Sequence, residues 1–167
     1  AEAPEKYKIK GSFGHPVPVV DGKTQSSGAK ASAIVLKKEF TDVKDLLCID
    51  YTSAYSTPSL DKLVRTFVYD RQGKGNFTVG DEFTANAPIR FETAITTQAN
   101  WKIIDDTHLL LTTGTEQMTV TIEASGKVAF TSETIEVNSP AYKRIGISLK
   151  EQSKDGYIRL TMRTKQL

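Results

Sequence analysis

Alternation of apolar and polar positions is clearest between residues 46 and 97. Leu46, Leu47, Cys48 and Ile49 form a short apolar run that ends at Asp50 and predicts a buried strand. Residues 53–62 hold a proline and several hydroxyls and read as a loop. Leu63 to Tyr69 mixes β-branched and aromatic side chains, which suit a pleated, half-buried surface. Residues 70–75 (DRQGKG) supply a turn. In the strand that follows, Phe77, Val79 and Asp81 share one face, and Thr78, Gly80 and Glu82 share the other. Past Pro88, Ile89, Phe91, Thr93 and Ile95 alternate with Arg90, Glu92, Ala94 and Thr96. Such a period of two is the mark of a sheet with one face in a core.

The flanking segments carry the same signal. Residues 1–10 read as a flexible lead-in, in which Tyr7 and Ile9 suit a short strand at most, and residues 11–167 as the folded domain. Pro16 and Pro18 bar their stretch from the middle of a sheet, because neither has an N–H to donate. Asp21-Gly22 is a tight-turn signal. A strand is predicted from Ala31 to Leu36, with a turn or one helical turn over 40–45. Beyond Thr97 short strands are predicted at 101–104, 108–112, 118–124, 128–132, 134–137, 144–149 and 157–163. Asp105-Asp106, residues 113–115, Ser125-Gly126, residues 138–140 and residues 154–156 separate them. No stretch keeps a helical period over three turns.

About ten to twelve short strands, with turn signals every 8 to 12 residues or so, predict an all-β fold, an antiparallel two-sheet β-sandwich. The absence of intervening helical patterns argues against a parallel α/β sheet.

Composition narrows the function classes. The 167 residues suit one domain, and 38% hydrophobic with 25% charged residues is a globular balance. A formal charge of +2, with scattered lysines and arginines, gives no footprint for nucleic acid or an anionic membrane. No apolar run approaches the roughly 20 residues of a membrane-spanning helix. The polar start reads either as the residue after a cleavage point or as a boundary inside a longer protein. Cys48 is the single cysteine, so no disulfide forms within the chain and no cysteine cluster binds metal. It reads as a small buried hydrophobe.

Few residues suggest chemistry. His15 and His108 are the two histidines, and no GxSxG elbow is present. His108 sits in a strand pattern beside Leu109 and Leu110. His15 stands in a loop flanked by glycine and proline, where side chains are often presented to ligands, although most such histidines are merely solvated. Alone it makes no zinc site, which takes about four ligands. Asp105-Asp106 is explained as a turn. Asp50, Tyr55 and Arg65 suit a polar network between strand and loop, with Arg65 pairing with Asp50 or Asp81. The aromatics Phe67, Tyr69, Phe77, Phe83, Phe91 and Trp101 fall at strand spacing, and core packing accounts for most of them.

Four segments in order carry a family resemblance: GHPVPVVDGKTQSSG (14–28), IDYTSAY (49–55), VRTFVYDR (64–71) and FTVGDEF (77–83). Together with WKIIDDTHLLL and the IEASGKV hairpin, they resemble the C-terminal β-sandwich of heparinase II/III-like polysaccharide lyases. The resemblance spans most of residues 11–163. It implies a parent protein that cleaves uronate polysaccharides by β-elimination, in which a base removes the proton beside the carboxyl and an acid protonates the leaving oxygen. It implies a periplasmic or extracellular bacterial setting. It also implies two partners, an N-terminal helical toroid of the same protein and an acidic polysaccharide. The family's catalytic residues lie mostly on that toroid, so no catalytic residue is carried over and the chain alone is expected to be inactive. His15 matches the Gly-His loop, whose histidine in some members looks like a ligand of a structural zinc. Its partners would lie upstream, and no cofactor is expected in this chain itself.

Two other readings stay open at this point. A free-standing carbohydrate-binding sandwich predicts exposed aromatics on a sheet face and glycan affinity without turnover. A purely structural domain predicts neither.

Overall fold

The computed structural model describes residues 5–135 and 140–165, with side chains described from 8 to 164 outside the gap. Twelve strands lie among them: β1 Val19–Val20, β2 Ile34–Phe40, β3 Lys44–Asp50, β4 Leu60–Asp70, β5 Asn76–Ile89, β6 Phe91–Thr97, β7 Asn100–Asp105, β8 His108–Thr113, β9 Glu116–Ala124, β10 Val128–Ile135, β11 Tyr142–Leu149 and β12 Ser153–Lys165. They form two antiparallel sheets. One has four strands in the order β1-β6-β11-β10, and the other has eight in the order β2-β3-β4-β5-β12-β9-β8-β7. The fold is the predicted all-β sandwich.

The core lies between the sheets. Phe83 of β5 stacks on Phe91 of β6 with ring centroids 4.6 Å apart, and both are buried. Ile145 and Ile147 of β11 meet Leu109, Val120, Ile158 and Leu160 of the large sheet in the same buried cluster. Burying such side chains stabilises the fold by about 1.5–3 kcal/mol each.

Several local readings change in three dimensions. Tyr7 and Ile9 lie in a 3₁₀ turn, Glu5–Lys10, not in a strand. The predicted strand at 31–36 is shifted to 34–40, and the chain reverses at 41–43, where Thr41 and Lys44 exchange hydrogen bonds. Residues 154–156 continue β12, with an irregularity between Ser153 and Asp155 in place of a turn. Pro88 lies near the end of β5, close to the chain reversal. Asp21-Gly22 forms the tight turn as predicted. Both residues adopt positive φ (54° and 74°), and Val20 and Lys23 close the turn with paired backbone hydrogen bonds.

The four-stranded sheet covers only part of the eight-stranded one. Leu46, Leu47, Cys48 and Ile49 are half-buried, not buried: Leu47 and Ile49 share the inward face with Phe67 and Arg65, while Leu46 and Cys48 face outward beside Val68 and Thr66. Cys48 is a free thiol in that half-buried row. The N-terminal segment covers the outer face of the small sheet. Phe13 lies over the Arg144 guanidinium at 4.3 Å, and Lys8 pairs with Glu133 of β10.

Candidate functional site

Arg65 and Asp81 stand directly opposite each other on β4 and β5, on the face turned toward the small sheet. The hairpin register places them there, and the guanidinium grips the carboxylate in a fork: Nε donates to Oδ1 and Nη2 to Oδ2, both at 2.7 Å. Both residues are buried, at 5% and 1% exposure. Tyr51 donates its hydroxyl to Asp81 Oδ1 at 2.6 Å, and Thr93 of β6 donates to Oδ2 at 2.7 Å. The Asp81 carboxylate thus accepts four hydrogen bonds. Burial would drive the Arg65 guanidinium toward neutrality, but the Asp81 charge outweighs it and holds Arg65 firmly protonated. Burial, then the Asp81 charge, pushes the Tyr51 hydroxyl far above its ordinary range. Burial raises Tyr55 in the same direction.

The third face of this network is the loop that carries His15. Arg65 Nη1 donates to the Pro16 carbonyl at 2.8 Å, and the Tyr55 hydroxyl donates to the Pro18 carbonyl at 2.8 Å. Tyr142 of β11 donates to the Gly14 carbonyl at 2.6 Å. Arg144, paired with Glu92 at 2.6 Å, reaches the Val17 carbonyl at 3.5 Å. The His15 carbonyl accepts from the Val17 N–H at 2.8 Å. Every carbonyl from Gly14 to Pro18 therefore has a partner. Two prolines leave this stretch unable to join a ladder through their nitrogens, so side chains satisfy its carbonyls instead. The outcome is a loop fixed on both sides of an exposed His15.

Of the predicted network, Arg65 and Asp81 pair as one of the two expected options. Asp50 does not join them. Its Oδ1 accepts from the Thr52 N–H and hydroxyl at 3.0 and 2.6 Å. Burial raises the Asp50 pKa, but those two bonds and the Lys62 charge bring it below the ordinary value. Tyr55 serves the loop, and its neighbour Tyr51 takes the place at the carboxylate. Tyr51, Thr93, Tyr142 and the Arg144–Glu92 pair were not singled out from sequence. For Thr93 the signal was an inward-facing hydroxyl in an apolar row, and for Arg144 a charge beside Ile145 and Ile147.

His108 lies at the β7–β8 hairpin, its Nδ1 2.9 Å from Asp105 Oδ1. The backbone and hydroxyl of Thr107 also donate to that carboxylate at 2.8 Å, as a turn-forming aspartate requires. The Thr107 backbone bond, then His108, holds the Asp105 pKa down to about 2. Asp105-Asp106 is thus a turn and no acid pair.

Among the described residues no three or more His, Cys, Asp or Glu side chains group as metal ligands. His15 brings one imidazole, so the described residues do not by themselves fit a zinc site. No helix among them is long and apolar enough to cross a membrane.

No family model matches the sequence. No curated protein matches it either. The fold, however, superposes on heparinase III with a TM-score of 0.73 and 16% identity, covering 96% of this chain and 25% of that one. The chain has the β-sandwich fold of heparinase III. The heparan sulfate lyase HepC from Pedobacter heparinus shares this fold at a TM-score of 0.69 and 13% identity, with 92% of this chain and 24% of that one covered. The heparinase III-like sandwich described here therefore spans about a quarter of the length of these solved chains. The likeness of fold agrees with the resemblance carried by the sequence segments.

Proposed function

We propose that this chain is the accessory β-sandwich domain of a uronate-polysaccharide lyase. In this reading it packs on a helical toroid of the same protein and walls one side of the substrate cleft. The carrying observation is the heparinase III fold over nearly all of this chain and only a quarter of the solved one. The chemistry of the polar cluster supports it. β-Elimination needs a base free to take a carbon-bound proton and an acid within reach of the leaving oxygen. Asp81 has its acceptor sites filled, Arg65 stays charged, and Tyr51 is buried and held protonated. These groups brace the His15 loop and do not exchange protons with a ligand.

In this proposal the chain alone is inactive. Incubation with uronate polysaccharides, followed by absorbance of unsaturated uronate, is expected to show no product. Product formed by the 167-residue chain would sink the assignment. The setting proposed is periplasmic or extracellular, to be checked by fractionation of the source cells. A zinc role for His15 needs ligands beyond the described residues, and metal analysis of the longer protein with and without His15→Ala tests it.

One observation favours a second reading, a glycan-binding module without turnover. On the outer face of the large sheet a groove of about 330 Å³ is lined by Thr66, Thr78, Gly80, Glu82, Tyr157 and Arg159. Gly80 leaves its floor open, with only the Arg159 side chain nearby at 3.7 Å. Aromatic, charged and hydroxyl groups converging in a groove suit a sugar. Glycan affinity abolished by Tyr157→Ala, in a protein with no lyase partner domain, would favour this reading over the first.

A further inference from the structure

The inward face of the large sheet continues past the edge of the small sheet in two complete rows. Pairing across β2, β3, β4 and β5 sets Lys38, Leu47, Phe67 and Val79 side by side, and then Phe40, Asp45, Tyr69 and Phe77. These share the face of Arg65 and Asp81, which lie in the adjacent row under Thr93 and the Pro16 loop. Beyond that covered row the face opens to solvent. Phe40 is 66% exposed, Tyr69 44% and Phe77 37%, while Leu47, Phe67 and Val79 are half-buried. Phe67 and Phe77 stack on each other with centroids 6.4 Å apart. Arg71 spans Tyr69 at 5.0 Å and pairs with Asp45 at 2.5 Å, so the charged heads in the second row neutralise each other.

We propose that this face is an interdomain contact, seated against an apolar surface of the remainder of the parent protein. The inference rests on the lyase-domain reading above and names the surface through which the domain docks. Its occupant follows from length: in solved chains with this fold, about three quarters of the residues lie outside the matched part. Apart from Lys38 at the edge strand and the Arg71–Asp45 pair, the face is apolar, and such a face on the core side of a sheet is costly to leave in water and marks an interaction site. The docking is face-on, not by strand addition. β2 forms the edge, but a register shift between Val35 and Lys37 breaks its ladder, and Lys37 and Lys38 charge it. Both features blunt an edge against pairing. Leu47 and Val79 add aliphatic area beside the rings, which suits protein packing better than a sugar platform.

Hydroxyl-radical footprinting of the full-length parent and of the 167-residue chain tests this directly. Labelling of Phe40, Tyr69 and Phe77 is expected to fall about tenfold in the parent, as burial under a stable contact implies. Tyr157, on the opposite face, is expected to label equally in both. Equal labelling of Phe40, Tyr69 and Phe77 in a parent that does carry a second domain overturns the docking face and leaves the lyase-domain reading intact. A parent frame with no further domain overturns both. Protection of these side chains in the isolated chain by a uronate oligosaccharide also overturns the proposal, in favour of a glycan platform. A Phe40→Ser/Phe77→Ser double variant supplies the second arm. It should leave the melting of the isolated chain unchanged and restore parent-like labelling of Tyr69 to the isolated-chain level, and failure to expose Tyr69 counts against the contact.

Discussion

Asp81 shows how one buried carboxylate organises two layers and a loop. It receives hydrogen bonds from β4, from β6 and from the residue that follows β3, and its partner Arg65 holds the Pro16 carbonyl. Removing it by Asp81→Ala leaves an unpaired buried guanidinium, and the expected loss is about 3–5 kcal/mol of stability in urea denaturation. Tyr51→Phe removes a single donor among four and is expected to cost about 1 kcal/mol. His15→Ala touches an exposed side chain and should stay within about 0.5 kcal/mol of the parent chain. This contrast separates the fixed loop from the residue it presents. The sequence left Arg65 two acids to pair with, Asp50 and Asp81, and the β4–β5 register sets Asp81 opposite it. Tyr51 was not legible, because whether Tyr51 or Tyr55 faces the carboxylate depends on the 3₁₀ turn Thr52–Ala54.

Hairpins and strand contacts carry their own expectations. The β7–β8 turn depends on ionised Asp105, whose pKa falls from 3.8 to about 2 on folding. A lowered pKa means that the folded turn binds the proton less tightly than the unfolded chain. Its contribution is therefore present above pH 3.8 and is lost as pH falls through about 2. Amide exchange at Thr107 and His108 should quicken over that window, and an Asp105→Asn variant should show the faster exchange already at neutral pH. In β11, Gly146 sits where an added Cβ would lie 2.5 Å from Thr131 Oγ1 and 2.8 Å from the Glu92 carboxyl carbon. Gly146→Ala pushes Glu92 away from Arg144, and thermal or urea unfolding should report a loss of about 1–3 kcal/mol. The strands themselves were readable from alternation, apart from shifts at β2 and β12 and the split at 128–132 and 134–137, where Val128–Ile135 run as one strand and residues 136–139 lie outside the described residues. In β2 one extra residue between Val35 and Lys37 breaks the period of two, and in β12 the register with β5 jumps between Ser153 and Asp155.

The whole molecule is asymmetric: eight strands face four. Sequence reading assigned most of the aromatics at strand spacing to the core. Phe83 and Phe91 are there, and Trp101 packs against it, whereas Phe67, Tyr69 and Phe77 lie on the uncovered end. Alternation reports which face a side chain takes, not whether another layer reaches it. At this scale the lyase-domain proposal predicts a silent chain in polysaccharide assays and an active longer protein.

By itself the sequence determined the class of fold, the positions of most turns and that Cys48 is the single cysteine. Each follows from local physics: side-chain period, turn stereochemistry and residue inventory. Only the tertiary structure decided which acid Arg65 meets, which carbonyls hold the His15 loop, and where the small sheet stops. Those depend on the pairing and overlap of strands far apart in the chain, and no local period encodes them. The His15 loop is the clearest case. Its prolines announce that it leaves the sheet, but its rigidity comes from Arg65, Tyr55, Tyr142 and Arg144, each delivered by a different part of the chain.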